Sequence, residues 1–140
     1  MSRSDFFTLE RKKTVIYSDF LTSFERNPTT DNLAINTNEN AVKRSVRNIV
    51  MTACGERFYD SKKGTKARGQ LFDLYDPTVV EVLKLQIGES LMRYEPRASP
   101  IQVDIVPNID DHSVRVRIAF GIINIQDELF QMEVVVKKIR

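Results

Sequence analysis

Three runs of alternating apolar and polar residues close the chain and constrain its fold more than any other feature. The runs cover residues 101–105, 114–120 and 130–136. Alternation with a period of two is typical of strands that turn one face to a core and the other to water. The predicted loops between them, at 107–112 and 124–128, are short enough to join antiparallel neighbours. The sequence therefore predicts a three-stranded antiparallel sheet.

A first amphipathic helix is predicted over about residues 39–53. Its apolar face consists of Val42, Val46, Ile49, Val50 and Ala53, which recur with helical spacing. Asn38 is the predicted N-cap, because its side chain can accept a hydrogen bond from the first turn. Gly55 follows where a left-handed residue would end the helix. Cys54 lies beside the apolar face, so we expect it to be a small core residue.

A second helix is predicted from Asp76-Pro77 to Glu95. An aspartate N-cap followed by proline at the first helical position is a typical start. Pro96 ends the helix, because proline disfavours the helical conformation of the residue before it. Gly88 lies inside the helix, where glycine costs about 1 kcal/mol relative to alanine. We expect a close approach of the sheet to explain that glycine.

These elements predict an α+β fold in which two main helices pack on one face of the three-stranded antiparallel sheet. We assign residues 37–140 to this single domain, because a chain of 140 residues can bury one core without disulfides or metals. Residues 1–36 are weakly patterned and contain a turn cluster. They are predicted to form an extended N-terminal arm that packs along the domain or is held by a partner.

The composition excludes several classes of function. The net charge is +2, there is one cysteine, and no apolar run approaches the roughly 20 residues of a membrane helix. We therefore expect no nucleic-acid partner, no intrachain disulfide and no membrane segment. The first residues also lack an apolar run of signal-peptide length. This pattern favours a protein that is made and assembled in a cytoplasm.

The residues that could carry catalysis or bind metal are sparse. His112 and Cys54 are the only histidine and cysteine, and the aspartates at 110–111 lack calcium-loop spacing. We predict no metal and no cofactor, and a hairpin loop explains His112 better than a Cys–His nucleophile pair does. Glu95 could be one of the two carboxyls of a glycosidase. Nothing marks a second carboxyl, and Arg97 would lower the pKa of Glu95 rather than raise it.

A charged loop is predicted over residues 56–70. Its basic side chains are Lys62, Lys63, Lys66 and Arg68. Phe58 and Tyr59 lie nearby and would allow bases to stack on them, as in single-strand binding proteins. The cluster is short, however, and is balanced by acidic residues elsewhere. A solvated loop, or one that contacts an acidic protein neighbour, explains it better.

The tripeptide Glu95-Pro96-Arg97, between the second helix and the sheet, resembles the signature of the gene-25-like family of phage baseplate wedge proteins. That family includes the sheath-initiating subunit of type VI secretion. Further segments resemble the family in the same order, at residues 16–19, 38–46, 55–58, 71–73 and 103–107. The chain departs from the family pattern after residue 58, where many relatives carry a Pro-Glu-Phe-Gly run. Contacts of this loop are therefore not transferred from the family.

The resemblance implies a structural protein of a contractile tail, not an enzyme, with a domain similar to the strand-exchange ("handshake") domain of the tail sheath. It implies that Glu95, Pro96 and Arg97 dock on the core-bundle subunits of the baseplate wedge. The charged side chains would make charge-assisted hydrogen bonds there, and the proline would fix their direction. The alternative is a local ion pair that only closes the helix end.

The resemblance also implies that a sheet edge templates the first ring of the tail sheath. We place that edge at Val134, Val135, Val136 and Lys137, because an open strand edge can accept an incoming strand by β-augmentation. The isolated chain is expected to be a monomer, with about six copies in the assembled ring of the virion tail. The alternative function is a tail-associated glycan hydrolase, since the family has carried a lysozyme label.

Overall fold

The computed structural model of the protein describes residues 14–70, 76–108 and 110–137. In order, these residues form β1 (Ser18–Phe20), β2 (Ile35–Thr37), α1 (Asn38–Met51), α2 (Pro77–Tyr94), β3 (Ala98–Asn108), β4 (Ser113–Ile122) and β5 (Ile125–Lys137). β1 and β2 make a small antiparallel pair, and β3, β4 and β5 form an antiparallel sheet in that order. The predicted α+β fold is confirmed.

Both main helices pack on one face of the sheet formed by β3, β4 and β5. α1 lies against β5, and α2 lies against β3. The central strand shows the alternation that the sequence predicted, with one buried and one exposed face. Its buried side chains are Val114, Val116, Ile118 and Phe120, and its exposed ones include Arg115 and Arg117. The apolar face therefore meets the helices, and the arginine face points away from them.

A single apolar core fills the space between the helices and the sheet. The largest fully buried side chains are Phe120, Leu83, Ile87, Leu91, Ile118, Val42, Val46, Val50, Val114, Val116, Val134 and Val136. The rings of Phe120 and Phe130 lie 6.2 Å apart on neighbouring strands. Full burial of each such side chain contributes about 1.5–3 kcal/mol. The core thus fixes the positions of the helix ends, including the end of α2.

The start of α1 differs from the prediction in the role of Asn38. The helix includes Asn38 itself, and the preceding Thr37 makes no side-chain cap. The Asn38 carboxamide oxygen accepts hydrogen bonds from the backbone N–H groups of Ile16 and Tyr17, at 2.8 and 3.3 Å. Its amide nitrogen donates to the carbonyl of Thr14 at 3.0 Å. Asn38 therefore binds the arm, using both halves of its amide, and does not cap the helix.

The end of α1 comes earlier than predicted. The helix ends at Met51, and both the hydroxyl and the backbone N–H of Thr52 donate to the carbonyl of Asn48, at 2.6 and 3.0 Å. Cys54 consequently lies beyond the helix and is exposed. The expectation that Cys54 belongs to the core is wrong. The helix whose buried face would have included it ends three residues earlier, at Met51. Gly55 does have a positive φ of 88°, but it lies in the turn after the helix.

α2 begins and ends as predicted. The Asp76 carboxylate accepts a hydrogen bond from the N–H of Thr78 at 2.8 Å, Pro77 is the first helical residue, and Glu95 is the C-cap. The expectation for Gly88 is wrong. A methyl group at Gly88 would meet no neighbouring atom within 4 Å, so no close approach of the sheet requires the glycine.

The second hairpin of the sheet is tighter than predicted. β4 ends at Ile122 and β5 begins at Ile125, so the turn consists of Ile123 and Asn124 and not of residues 124–128. Asn124 has a φ of 70°, a left-handed conformation that asparagine adopts more readily than most residues. The turn itself lies next to Arg97, just after α2, because the backbone N–H of Ile123 bonds to the carbonyl of Arg97 at 2.9 Å.

The described part of the arm folds back on itself. In the β1–β2 pair, Ser18 lies opposite Thr37 and Phe20 lies opposite Ile35. The backbone N–H of Leu21 extends this pairing with a bond to the carbonyl of Ala34 at 3.0 Å. The rest of the predicted arm, residues 1–13, lies outside the described residues, as does the 71–73 segment. The pairing places Asp19 of β1 within hydrogen-bonding distance of Arg97, just after the end of α2.

Candidate functional site

The turn between α2 and β3 is built from Glu95, Pro96 and Arg97. The backbone N–H of Glu95 bonds to the carbonyl of Leu91 at 2.9 Å, and the N–H of Ala98 bonds back to the carbonyl of Glu95 at 3.0 Å. Pro96 lies between these bonds and is exposed. Because proline fixes its own φ and has no N–H, it ends the helix and leaves the two charged neighbours in a defined geometry.

Glu95 and Arg97 form a two-point ion pair across the proline. Arg97 donates from Nε to Glu95 Oε1 at 2.6 Å and from Nη2 to Oε2 at 2.9 Å. The Glu95 side chain is only 3% exposed, whereas the Arg97 side chain is 25% exposed. A planar guanidinium matches the two oxygens of a carboxylate in this arrangement. The local ion pair that was the alternative interpretation is therefore present.

Asp19 of β1 provides a second carboxylate for the same guanidinium. Arg97 Nη1 and Nη2 lie 3.1 and 3.0 Å from the two oxygens of Asp19. The Tyr17 ring lies against the same group, with its centroid 5.6 Å from the Arg97 guanidinium carbon. We call Tyr17, Asp19, Glu95 and Arg97 the arm clasp, because together they join the arm to the end of α2.

Further bonds connect the arm clasp to the turn between β4 and β5. The Tyr17 hydroxyl donates to the carbonyl of Ile123 at 2.9 Å and lies 3.0 Å from the Asn124 side-chain nitrogen. The backbone N–H of Ile123 bonds to the carbonyl of Arg97 at 2.9 Å. Three separate parts of the chain therefore meet at Arg97, namely the arm, the α2–β3 turn and the β4–β5 turn.

The arm clasp holds both charged groups of the tripeptide in their ionised forms. Burial raises the pKa of Glu95, but hydrogen bonds from Arg97 and from Ser45 of α1 outweigh it, so the pKa is lowered below its ordinary value. Hydrogen bonds to Glu95 and Asp19 raise the pKa of Arg97. A glycosidase acid needs the opposite, a carboxyl kept protonated by a raised pKa. Glu95 is thus a fixed carboxylate and a poor proton donor.

Sequence reasoning found the tripeptide but missed Asp19 and Ser45. Both residues belong to segments that resemble the family, at 16–19 and 38–46. That resemblance was the only feature of the sequence that could have indicated them as site residues. Asp19 lies 78 positions from Arg97, so no local pattern links the two. Their contact depends on the β1–β2 pairing, which brings the arm to the helix end.

The predicted sheath-binding residues lie on β5, which is an edge strand. Its neighbour in the sheet is β4, and among the described residues no strand pairs with its other side. Val134 and Val136 are buried against the helices, whereas Val135 is 41% exposed and Lys137 is exposed. Two core side chains therefore fix the strand, and no described strand covers the backbone groups of its outer edge.

The remaining candidate chemistry is spread over different parts of the fold. Cys54 lies in the turn after α1, and His112 lies in the β3–β4 loop. In the described part of the chain, no three histidine, cysteine, aspartate or glutamate side chains converge to hold a metal ion. Among the described residues, neither helix combines the length and apolar character that a membrane crossing requires.

The sequence signature of a family described as baseplate wedge protein gp25 matches residues 36–126. The match runs from β2 through α1, α2, β3 and β4 into the start of β5, which is more than half of the chain. The chain belongs to this family of baseplate wedge proteins. The matched range contains the Glu95-Pro96-Arg97 turn, but it includes neither Asp19 nor residues 134–137.

Individual relatives agree with this membership of the gp25 family. Baseplate wedge protein gp25 of Enterobacteria phage T4 is 29% identical over 93 residues, which are 66% of this chain and 70% of the T4 protein. A chain in the 6-fold symmetrised cryo-EM structure of the anti-feeding prophage baseplate is 27% identical. It superposes with a TM-score of 0.65 over 79% of this chain and 89% of its own. The resemblance on which the functional prediction depends is confirmed.

A further similar structure carries a different description. The crystal structure of a proposed tail lysozyme from Geobacter sulfurreducens superposes with a TM-score of 0.62 over 73% of this chain and 92% of its own. Its sequence is 20% identical to this chain. At that identity the likeness establishes a shared fold and nothing about activity.

Proposed function

We propose that this chain is a structural wedge subunit of a contractile-tail baseplate, docked through the α2–β3 turn and offering a sheet edge to the tail sheath. The observation that carries the proposal is the guanidinium of Arg97, which two carboxylates hold in place while a quarter of the side chain stays accessible. Membership of the gp25 family supplies the assembly in which such a preformed contact would act.

The docking half of the proposal assigns different roles to the three residues of the turn. Pro96 and the accessible part of Arg97 contact the core-bundle subunits of the wedge. Glu95 is too deeply buried to meet a partner and acts by orienting Arg97. The matching surface on the bundle would be a carboxylate or a group of helix C-terminal carbonyls, because both attract a guanidinium. A preformed site loses little conformational freedom on binding.

The sheath half of the proposal concerns the outer edge of β5. An incoming sheath segment would pair with its free backbone groups by β-augmentation. The buried Val134 and Val136 keep the strand in register, and the exposed Val135 and Lys137 are available to side chains of the added strand. A sheet edge that is rigid before binding suits a template, because the register of the added strand is then set in advance.

The location of the protein and its number of copies follow from the same proposed role. We expect a monomer in isolation and about six copies in the assembled ring, because ring symmetry would come from the partners. The anti-feeding prophage baseplate that contains a similar chain was symmetrised 6-fold, which supports that number. We place the protein in the tail baseplate of the virion, assembled in the host cytoplasm, with neither nucleic acid nor membrane as a partner.

We also propose that the chain is not an enzyme. The glycan hydrolase alternative would need Glu95 as its proton donor, and this carboxylate is buried in a two-point pair with Arg97 that lowers its pKa. Incubation of the purified protein with peptidoglycan tests this part. Release of soluble glycan fragments that disappears in a Glu95→Gln variant would contradict it.

Binding to the cognate core-bundle subunits tests the docking half. Arg97→Lys keeps the charge but removes the planar fork that grips both carboxylates and the partner. We expect this variant to bind the purified core subunits at least about tenfold more weakly than the wild type. Circular dichroism and thermal unfolding of each variant will establish that the domain is folded.

The matched control is Glu81→Ala/Lys84→Ala, which removes an exposed ion pair from the same helix. We expect it to bind as the wild type does. Wild-type affinity in the folded Arg97→Lys variant would show that the turn is not the docking site. Absence of binding by the wild type itself would contradict the wedge assignment.

A further inference from the structure

The loop after α1 carries two adjacent aromatic side chains that no described residue covers. The relative accessibilities of Phe58 and Tyr59 are 101% and 105%, higher than those of the other large apolar residues that are exposed in the described part of the chain. A buried aromatic side chain covers about 150–250 Å², so this pair leaves a large apolar area in water. We call Phe58 and Tyr59 the aromatic tip.

The loop that carries the aromatic tip is fixed at its base. The backbone N–H of Gly55 bonds to the carbonyl of Ser61 at 2.8 Å, which closes the loop just below the tip. The backbone N–H of Thr65 bonds to the carbonyl of Thr52 at 2.9 Å, and its buried hydroxyl donates to the carbonyl of Val50 at 2.9 Å. Backbone bonds therefore tie the base of the loop to the end of α1, below the tip.

Glycine and an acidic side chain complete this base. Gly64 has a φ of 127°, and a Cβ there would lie 2.5 Å from the Thr52 carbonyl oxygen. Only glycine allows the two segments to approach this closely. The Glu56 carboxylate accepts a hydrogen bond from the N–H of Ala53 at 2.9 Å. These contacts fix the base of the loop against the residues that follow α1.

The surroundings of the aromatic tip are strongly basic. Residues 56–68 contain five basic and two acidic residues, although the whole chain has a net charge of only +2. Arg57 directly precedes the tip and is exposed, and Lys62 and Lys66 are exposed further along the same loop. Aromatic and arginine side chains are the types that contribute most to protein interfaces when they enter a pocket. A partner that receives the tip would therefore need an apolar pocket with an acidic rim.

We propose that the aromatic tip inserts into an apolar, acidic-rimmed pocket of a neighbouring protein subunit of the baseplate. This contact would use other residues than the α2–β3 turn and the β5 edge, and it depends on the proposed baseplate role. A single-stranded nucleic acid would instead require stacking rings spaced along a basic groove, whereas the described loop presents two consecutive rings at one point. The tip gives this chain a third contact in the assembly.

A double variant tests the apolar part of the contact. Phe58→Ser/Tyr59→Ser removes only exposed rings, so we expect unchanged thermal unfolding. Its affinity for cognate baseplates assembled without this chain is expected to fall about tenfold or more. Wild-type affinity in the double variant would overturn the inference while leaving the wedge assignment intact. Failure of wild-type protein to bind these baseplates would count against the wedge assignment itself.

A charge reversal tests the acidic rim. Arg57→Glu, directly before the tip, is expected to weaken binding to the same baseplates, with a larger effect at low salt because the attraction is screened at high salt. The matched control, Arg47→Glu, makes the same charge change on an exposed position of α1 and is expected to bind normally. Equal losses in the two variants would indicate general electrostatic attraction and overturn the specific pocket.

A photo-cross-linking amino acid at Tyr59 identifies what covers the tip in assembled baseplates. We expect one cross-linked protein site with acidic residues around it, and none from the same probe at the exposed Asp110. A cross-link to a protein site without acidic residues would contradict the proposed acidic rim of the pocket. The wild-type protein is also tested for binding to a single-stranded oligonucleotide and to phosphatidylglycerol vesicles. Binding to either one that is lost in Phe58→Ser/Tyr59→Ser would contradict a protein partner for the tip.

Discussion

At the scale of single residues, the chain uses one arginine to join segments that are distant in sequence. Arg97 binds Glu95 two positions before it and Asp19 in the arm. The tripeptide could be recognised from the sequence, because a charge pair on either side of a helix-ending proline is a local pattern. Asp19 could not be assigned as its partner, since their contact requires the β1–β2 pairing, which is set by tertiary structure.

Substitution of Glu95 is predicted to change how stability depends on pH. Because the folded-state pKa of Glu95 lies below its ordinary value of 4.5, the ionised group contributes stability above that pH. This contribution is lost as the pH falls through the lowered folded-state pKa. Glu95→Gln should therefore lower the free energy of unfolding by about 1–3 kcal/mol at neutral pH. The difference from the wild type should shrink as the solution is acidified.

Urea unfolding at several pH values from about 7 down to about 3 measures this difference. Glu89→Gln, at an exposed position on the same helix, is the control, and its unfolding curves should stay close to those of the wild type. A Glu95→Gln variant whose deficit remained constant over this pH range would contradict the assigned role of the carboxylate.

At the scale of secondary structure elements, the quality of the local signals decided which boundaries could be predicted. α2 has an aspartate cap, a proline at its first position and a proline after its end, and its bounds agree with the prediction. α1 has weaker signals. It ends before Thr52, whose backbone is extended and whose carbonyl accepts a hydrogen bond from the N–H of Thr65 at 2.9 Å, and its first asparagine binds the arm. Tertiary contacts therefore outweighed the local preference at both ends of α1.

The two glycines near these helices are predicted to respond oppositely to alanine. Gly88→Ala adds a methyl group that meets no neighbouring atom within 4 Å, and alanine restricts the unfolded chain. We expect a gain of about 0.4–1 kcal/mol. Gly64→Ala places Cβ 2.5 Å from the Thr52 carbonyl oxygen at a φ of 127°, so it should destabilise the protein by more than about 1 kcal/mol. Thermal unfolding of both variants measures the contrast, and a loss of stability in Gly88→Ala would contradict it.

At the scale of the whole molecule, the layered fold followed from the pattern of the sequence. The period-two runs fixed the meander, and the helical stripes indicated which face they cover, so the α+β arrangement could be predicted. Three features could not be predicted: the position of the arm against the end of α2, the exposure of Cys54, and the tight Ile123-Asn124 turn. Each of these depends on contacts between segments that no periodicity records.

The whole sheet has two outer edges, and the proposal assigns the sheath to only one of them. Val135→Lys adds a charge to the β5 edge, and Ile101→Lys adds the same charge at an exposed position of β3, the opposite edge. Charged side chains at an edge hinder the addition of a strand. We expect Val135→Lys to reduce sheath polymerisation from assembled baseplates severalfold and Ile101→Lys to leave it unchanged. The reverse result would contradict the assignment to β5 and indicate that the sheath strand adds to β3.

The arm clasp has a mechanical consequence. It acts in parallel with the β1–β2 pairing and with the bonds of Asn38 to the arm, so tension applied to the arm reaches the start of α1 and, through Arg97, the end of α2. The same residue is bonded through its backbone to the β4–β5 turn, so the load passes into the sheet without first peeling its strands apart. Forces on the arm and on the α2–β3 turn would therefore meet at one guanidinium, whose ion pairs can open and close again without loss of the buried core.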